Sequence, residues 1–255
     1  MVERRYILIG TEGNHDQAFI SKILTTWFGF KKFDGKKEDL DQFWHKFIPV
    51  YPPKFDNLYK RLDMPTILNR NNSSVAIYVG EGSNLGRNLN VKLSDFRTTK
   101  LFAFAIIADC DQSSPDQVAQ SYQQALQENF TDFPGKPGIV SGETTRLGIY
   151  IFPDNNRTGA LESLLCQCGE VAYPDCMKKA TEYIDSFSLE ERKAMKVKWK
   201  PFDYEKARIA TVVSVLKPGK TNTASIADNH WISEETLEKL PELQKLKEFL
   251  RNLLY

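Results

Sequence analysis

The sequence lacks long apolar runs and a charge excess of either sign. No stretch approaches the roughly 20 apolar residues of a membrane helix, and the start, MVERRYILIGTEG, is too poor in apolar residues for a signal peptide. We therefore expect a cytosolic protein with no membrane partner. The 34 basic and 33 acidic residues give a net charge of +1. This balance excludes a global field that attracts nucleic acid, but it permits a local basic face.

Histidine and cysteine are scarce, with three and four copies. Three histidines are too few for a histidine-rich metal centre. Three cysteines lie in CQCGEVAYPDC, whose C-x-C-x7-C spacing departs from the usual paired zinc spacing. We expect reduced, partly buried thiols, with a zinc site as the alternative.

Two nucleotide-binding signatures are also missing. The stretch GTEGNHD lacks the Gly-Lys-Ser/Thr ending of a phosphate loop, and the glycines of GEGSNLGRNL do not fit a dinucleotide fingerprint. The chain therefore has no ATPase motif of its own. Its composition, with 41% hydrophobic and 26% charged residues, is that of an ordinary globular protein.

The order of apolar segments predicts an α/β fold. Short apolar segments typical of buried strands occupy residues 5–10, 74–80, 101–109 and 147–154. Helical patterns are found at 16–29, just after 80, at 115–130, from a Thr158 cap through 168, and at 174–186, 189–197, 203–216 and 234–254. This alternation predicts a doubly wound sheet with mainly parallel strands and helices on both faces, followed by a helical C-terminal portion.

The region 31–73 interrupts this alternation with lysines, aromatic residues and prolines. We interpret it as an insertion between core elements, with helices near 40–48 and 55–62. The predicted organisation is thus an α/β core at 1–170, with an insertion at about 31–73, and a helical portion at 171–255 packed on that core.

Carboxylates recur where the predicted strands end. Glu12 and Asp16 follow the first strand, Asp109 and Asp111 end the third, and Glu162 lies near the start of the helix after the fourth. Ligands of open parallel sheets bind outside these strand ends. In an extended chain the side chains at i and i+2 point the same way, and two such acids repel unless a cation or a proton offsets them. The pattern favours a Mg²⁺ or Mn²⁺ site.

Each acid also has a simpler interpretation. Glu12 can be an acid favoured by the dipole of the first helix, and Asp16 can be the N-cap of that helix. Glu162 can be an ordinary exposed helical residue, and Asp111 can cap the following turn. His15 either supports the site or is a solvated loop residue.

The motifs after the first and third strands carry a family resemblance. TEGNHD and DCD resemble the toprim domain of topoisomerases, primases and a set of nucleases, whose pattern is Glu-Gly after strand one and Asp-x-Asp after strand three. Glu12 with Gly13, and Asp109 with Asp111, match it. The spacing from Glu12 to Asp16 is more similar to the overcoming-lysogenization-defect nucleases. The stretch GIYIFPDNNRTGALESLL resembles an uncharacterised bacterial toprim-related family.

The resemblance adds two residues and a function. It aligns Glu162 with an acid that the nucleases use, and Lys206 with a helix lysine near their metal site. It implies a toprim-like fold and Mg²⁺- or Mn²⁺-dependent phosphodiester hydrolysis of DNA or RNA. Glu12, Asp109 and Asp111 would hold one ion, Asp16 and Glu162 would help to hold a second, and Lys206 would counter charge on the phosphate.

The alternative is a non-catalytic, nucleic-acid-binding or regulatory module with the same fold. Such a module would serve a separate ATPase, because the nucleases resembled usually carry an ATPase domain and this chain has no ATPase motif. No strand-passage domain or primase module is recognisable, so topoisomerase and primase are set aside. Whether the chain forms oligomers is left open.

Two basic runs contain aromatic residues, KKFDGKK at 31–37 and MKVKWK at 195–200. Such runs are able to bind a nucleic-acid backbone. The alternative for both is a solvated face.

Overall fold

The computed structural model describes residues 4–48, 64–94 and 98–255, and it is organised around one sheet. Its strands are β1 (Arg5–Thr11), β2 (Lys31–Lys32), β3 (Thr66–Arg70), β4 (Ser73–Val79), β5 (Leu101–Asp109), β6 (Val140–Ser141) and β7 (Arg146–Phe152). The strand order is β2-β3-β4-β1-β5-β7-β6.

Helices precede, separate and follow these strands. They are α1 (Asn14–Phe28), α2 (Leu85–Ser94), α3 (Pro115–Leu126), α4 (Leu161–Ala172), α5 (Pro174–Asp185), α6 (Leu189–Ala194), α7 (Asp203–Leu216), α8 (Asn222–Asp228), α9 (Glu234–Lys239) and α10 (Pro241–Leu254). Short 3-10 helices occur at Lys37–Asp39, Gln42–Phe47, Gly82–Asn84 and Thr98–Lys100. Among the described residues, none of the helices combines the length and the apolar character that crossing a membrane requires.

The four central strands are those that the sequence predicts. β4, β1, β5 and β7 are parallel neighbours, and β5 lies beside β1 in the middle of the sheet. Their nearly continuous apolar sequences fit this position, because a central parallel strand is covered by helices on both faces. The prediction of an α/β fold with a mainly parallel core is confirmed.

Three antiparallel strands at the sheet margins were not predicted. β3 pairs with β4, β2 pairs with β3, and β6 pairs with β7. A tight hairpin joins β3 to β4 through Asn71, whose φ of 49° is left-handed, a conformation that asparagine tolerates better than most residues. Both β2 and β3 lie within 31–73, so part of the region interpreted as an insertion belongs to the sheet.

Successive residues of each strand contribute side chains to two separate hydrophobic cores, one on each face of the sheet. In β1, Ile7 and Ile9 belong to a core with α1, α4, α5 and α7 to α10, whereas Leu8 faces α2, α3 and the 3-10 helix Gln42–Phe47. This is the period of two expected of a strand. The helices after residue 170 therefore extend the core on the α1 side of the sheet.

Several helix boundaries differ from the prediction. α1 ends at Gly29 as predicted, with a left-handed φ of 67°, but α3 ends at Leu126 rather than near 130. The predicted helix at 234–254 is broken, because Pro241 has no amide hydrogen and begins α10. The helix α8 was not predicted.

The remaining differences concern caps and the region 31–73. The Thr158 cap is wrong, since Ala160 occupies the N-cap position of α4. The helix expected near 40–48 is the 3-10 helix Gln42–Phe47. The helix expected at 55–62 lies outside the described residues.

The connections between the parallel strands create a crevice. From β1 the chain continues to β4 on one side, whereas from β5 it continues to β7 on the opposite side. The loops that leave β1 and β5 therefore diverge, and such a switch point is where open parallel sheets bind ligands. Glu12 lies in the loop after β1, and Asp109 is the last residue of β5.

We expect Gly80→Ala to destabilise the fold by about 1–3 kcal/mol through overpacking. Gly80 follows β4, and its amide donates a hydrogen bond to the Thr11 carbonyl at 2.9 Å. An added Cβ would lie 2.5 Å from Leu85 Cα, so that the start of α2 would have to move. Urea denaturation measures the effect.

The matched control for this change is Ser83→Ala, at an exposed position three residues away. A surface change of this kind should alter stability by less than about 0.5 kcal/mol. Equal stability of the two variants would contradict the tight packing between Gly80 and α2.

Candidate functional site

A cavity of about 490 Å³ lies at the carboxyl ends of β1 and β5. Its wall contains four of the predicted metal-binding acids together with the predicted lysine. These residues are Glu12, Asp16, Asp109, Glu162 and Lys206. We refer to the four acids Glu12, Asp16, Asp109 and Glu162 as the acidic crevice.

The turn from β1 into α1 places Glu12 and Asp16. Gly13 is the N-cap of α1, and its amide donates a hydrogen bond to Asp16 Oδ2 at 2.8 Å. Asp16 is thus the third residue of the helix, so the N-cap interpretation is wrong. Glu12 precedes the cap, and its Oε1 accepts a hydrogen bond from the Tyr122 hydroxyl of α3 at 2.9 Å.

The end of β5 positions both Asp109 and the start of α4. Asp109 Oδ1 accepts a hydrogen bond from the Leu161 amide at 2.7 Å. The next residue, Glu162, is only 7% exposed, so the interpretation as an ordinary exposed helical residue is wrong. Glu162 Oε1 lies 3.4 Å from His15 Nδ1, which places His15 at the site.

Asp111 is separated from the other acids by its backbone conformation. Its φ of 49° is left-handed, and its amide donates to the Gly159 carbonyl at 2.9 Å. The chain therefore turns after Asp109. The expectation that Asp109 and Asp111 point the same way required an extended chain, so it does not hold here. Asp111 is exposed and does not line the cavity. Burial raises the pKa of Glu12, and the negative charge of Asp111 raises it further. The hydrogen bond from Tyr122 acts in the opposite direction.

The C-terminal helices close the opposite side of the cavity. Lys206 projects from the first turn of α7, and Thr221 and Thr223 contribute from the start of α8. Neither threonine was predicted. Tyr122 was missed as well, because it follows the apolar spacing of α3 and only the folded structure shows its hydroxyl on Glu12.

The acids of the crevice perturb one another. Burial of the side chain, reinforced by the charges of Glu12 and Glu162, raises the pKa of Asp16 to about 7, against the hydrogen bond from Gly13. Burial and the charges of these three neighbours also raise the pKa of Asp109 well above its usual range. Burial alone would raise the pKa of Glu162, but the His15 hydrogen bond and the Lys206 charge lower it.

The donor chemistry fits a hard divalent cation, although the side chains are not arranged around one. Across residues 4–48, 64–94 and 98–255, no group of three or more His, Cys, Asp or Glu side chains is placed to hold a metal ion. Hydrogen bonds hold the four side chains in other directions, because one oxygen of each acid is directed to a protein group. The partners of Glu12, Asp16, Asp109 and Glu162 are, in that order, Tyr122, Gly13, Leu161 and His15. Each carboxylate has a second oxygen, so binding of Mg²⁺ or Mn²⁺ requires these side chains to turn toward a common point.

The cysteines are divided between the two faces of the sheet. Cys166 and Cys168 belong to the core on the α1 side, whereas Cys110 belongs to the core on the α3 side. All four cysteines are free thiols. Cys176 packs against the same core as Cys166 and Cys168, but among the described residues these three cysteines do not form a group placed to hold a metal ion, so the structure does not support the zinc alternative.

We expect Asp16→Asn to stabilise the metal-free protein at pH 8, and to stabilise it only about a third as much at pH 5. A folded-state pKa raised from 3.8 to about 7 means that the wild type loses stability as pH rises through this range. Asparagine cannot ionise and still offers an oxygen to the Gly13 amide. The gain at pH 8 should be on the order of 1–4 kcal/mol, since one pKa unit corresponds to about 1.4 kcal/mol.

Urea denaturation in the presence of a chelator, at both pH values, measures this difference. Asp175→Asn is the matched control, because Asp175 is an exposed acid in the first turn of α5. A loss of stability at pH 8 in Asp16→Asn would show that the acids of the crevice do not repel one another.

Comparisons with known proteins concern the family and the fold. A family model described as "Protein of unknown function (DUF3226)" matches residues 6–255. The crystal structure of hypothetical protein PH0156 from Pyrococcus horikoshii OT3 is similar over 97% of this chain and 99% of that chain, with a TM-score of 0.59 and 16% identity. At that identity the likeness concerns the fold alone. No curated protein matches the chain. Because the family model spans nearly the whole sequence, this protein belongs to the DUF3226 family.

Proposed function

We propose that the protein is a Mg²⁺- or Mn²⁺-dependent phosphodiester hydrolase, a nuclease that acts on DNA or RNA and has a toprim-like fold. One observation carries the proposal. The acidic crevice and Lys206 line a single cavity at the switch point of a parallel sheet. Acids gathered with a cation beside them are suited to bind metal and a phosphate together.

The strand arrangement supports the toprim-like part of the proposal. Glu12 and Gly13 follow β1, whereas Asp109 is the last residue of β5, its parallel neighbour in the sheet, and Asp111 lies two residues beyond it. The two sequence motifs that resemble the toprim pattern are therefore adjacent in space although they are far apart in the chain.

The residues of the cavity have distinct roles in the proposed reaction. Glu12 and Asp109 would hold one ion, and Asp16 and Glu162 would help to hold another. Asp111, which lies outside the cavity, would join the first ion only if its turn moved. Two metal ions bound in this way would activate a water molecule and stabilise the leaving oxygen.

Three further side chains act on substrate or on the ligands. Lys206 would bind a phosphate oxygen and offset the charge that develops on it. The Tyr122 hydroxyl orients Glu12, because it donates to one carboxylate oxygen. His15 does the same for Glu162.

A specific observation favours the second candidate, a non-catalytic nucleic-acid-binding or regulatory partner of a separate ATPase. Burial and mutual repulsion raise the pKa of Asp16 and of Asp109, so that protons can take the place of a metal ion. In that case the crevice would be a protonated remnant of a metal site. Metal titration separates the two candidates.

We expect the wild type to bind Mn²⁺ at millimolar concentration or below and to cleave nucleic acid in its presence. Asp109→Asn should lower cleavage by about 10²-fold or more, because it removes a negative ligand. The same variant should keep or gain stability without metal, because a repulsive charge is removed. Calorimetry, cleavage assays on nicked, linear and single-stranded substrates, and thermal melting provide the three readouts.

Asp175→Asn serves again as the control and should match the wild type in all three. Absence of Mn²⁺ binding at millimolar concentration would favour the non-catalytic candidate. Unchanged cleavage in Asp109→Asn would indicate a contaminating nuclease or a different site.

We also expect Tyr122→Phe to weaken Mn²⁺ binding by about 10- to 100-fold, as loss of a hydrogen bond to a ligand typically does. The change removes only the hydroxyl that orients Glu12. Calorimetric titration at neutral pH measures the affinity.

Tyr150→Phe is the matched control for Tyr122→Phe. Tyr150 is fully buried, and its hydroxyl contacts backbone carbonyls outside the cavity. Equal Mn²⁺ affinity of the Tyr122 variant and the wild type would contradict the orienting role.

A further inference from the structure

A strongly basic segment joins α6 to α7. Residues 192–202, RKAMKVKWKPF, contain five lysines and arginines and no acid; we refer to them as the basic segment. Lys193, Lys196, Lys198 and Lys200 are exposed. Within the described part of the chain, none of these four side chains forms an ion pair with a carboxylate. Their charges are therefore available to an anionic ligand.

Large apolar side chains alternate with these lysines. Met195, Val197 and Trp199 are 55%, 42% and 37% exposed. Isolated exposed apolar residues are common, but a cluster of them among cations is typical of a binding surface. The ring of Trp199 is held in place, because the Arg192 guanidinium lies 4.6 Å from its centroid and the Tyr204 ring lies 6.0 Å away.

The backbone of the basic segment is fixed in an irregular conformation. Lys196 and Phe202 have left-handed φ values of 60° and 65°, which cost free energy in residues other than glycine. Residues 197–200 between them form no regular secondary structure. The Lys200 amide donates to Asp203 Oδ2 at 2.6 Å and so anchors the segment to the first turn of α7.

The same turn of α7 reaches the cavity. Lys206 lines the cavity beside Glu162, and its amide donates to the Phe202 carbonyl at the end of the basic segment. A ligand that lies along the segment is thus led toward the acidic crevice. The surface and the cavity share one structural element.

We propose that the basic segment is a docking surface for an unpaired nucleic-acid strand, whose phosphates contact the lysines and one of whose bases stacks on Trp199. This inference rests on the proposed function for its link to the cavity. Cations with an exposed aromatic ring are the usual means of binding single strands, because every base has a stacking face. A duplex keeps those faces inside its own stack, so it can use only the lysines.

The surface does not distinguish DNA from RNA. Backbone phosphates and base faces are common to DNA and RNA, so the proposed contacts of the lysines and of Trp199 do not involve the 2′-hydroxyl that marks RNA. An anionic membrane or an acidic peptide would also meet the lysines. An acidic peptide has no phosphodiester for the cavity to which the segment leads, and a membrane lipid has one but no base to stack on Trp199.

The test uses the full chain with Asp109→Asn, in a chelator, so that binding is measured without cleavage. Fluorescence anisotropy follows labelled oligothymidine, oligouridine and duplex of about 20 nucleotides. We expect both single strands to bind equally and the duplex to bind more weakly. Adding Trp199→Ala should weaken single-strand binding by about 5- to 150-fold, the range for loss of one base stack. Trp199→Phe should keep most of the affinity.

The lysines are tested through the salt dependence of binding. Replacing Lys196, Lys198 and Lys200 by glutamine should reduce the slope of log affinity against log salt by about 2, since each phosphate contact contributes about 0.7. The matched control replaces Lys31, Lys36 and Lys37, which are exposed in the other basic run, and should leave the slope unchanged. Circular dichroism confirms that each variant is folded.

The outcomes separate this inference from the proposed function. Single-strand binding that is indifferent to Trp199→Ala and to the three lysine changes would overturn the docking surface, as would tighter Trp199-dependent binding to phosphatidylserine vesicles or polyglutamate. In that case Mn²⁺-dependent cleavage by the wild type would still support the proposed function. If Trp199-dependent strand binding is found without any cleavage by the wild type, the docking surface stands and the nuclease proposal fails.

Discussion

Mutual repulsion among the four carboxylates of the acidic crevice constrains the structure around them. Hydrogen bonds from Tyr122, from two backbone amides and from His15 hold the acids in place, but they do not neutralise four negative charges. The remaining cost, which comes from burial first and from the neighbouring charges second, is visible in the raised pKa values of Asp16 and Asp109. Either protons or a cation must offset it: a proton neutralises the one carboxylate that binds it, whereas a divalent cation shares two positive charges among several carboxylates. The two proposed functions differ in what offsets this charge, which is a metal ion in the nuclease and protons in the non-catalytic module.

The parallel core could be predicted because its signal is local. A central strand buried on both faces has a continuous apolar sequence, and each of the four core strands has one. The antiparallel β3 was missed because it lies in a region rich in lysine, aromatic residues and proline, and because its stability depends on pairing with β4. The break at Pro241 was readable in the sequence, since proline lacks the amide hydrogen that a continuing helix needs. It was overlooked because the apolar spacing continues on both sides of it.

The candidate site was predictable to the extent that strand ends determine it. Glu12 and Asp109 were identified from their positions directly after apolar strands, and the neighbouring strands bring them to one cavity. Asp111 shows the limit of this reasoning, because the rule of alternating side chains holds only while the chain stays extended, and a left-handed φ ends the extension. Tyr122 shows another limit. A tyrosine on the apolar stripe of a helix is indistinguishable from a core residue until the partner of its hydroxyl is known.

The helices after residue 170 complete the site rather than merely pack on the sheet. Lys206 and two threonines of α7 and α8 form one wall of the cavity, and Lys206 is the cation that lowers the pKa of Glu162 together with His15. The basic segment ends on the same turn of α7. Any displacement of α7 would therefore change the charge balance of the crevice and the position of the basic segment together. In the proposed mechanism, binding of a strand would be coupled through that helix to the organisation of the acids, and substrate would promote the side-chain rearrangement that the proposed metal site requires.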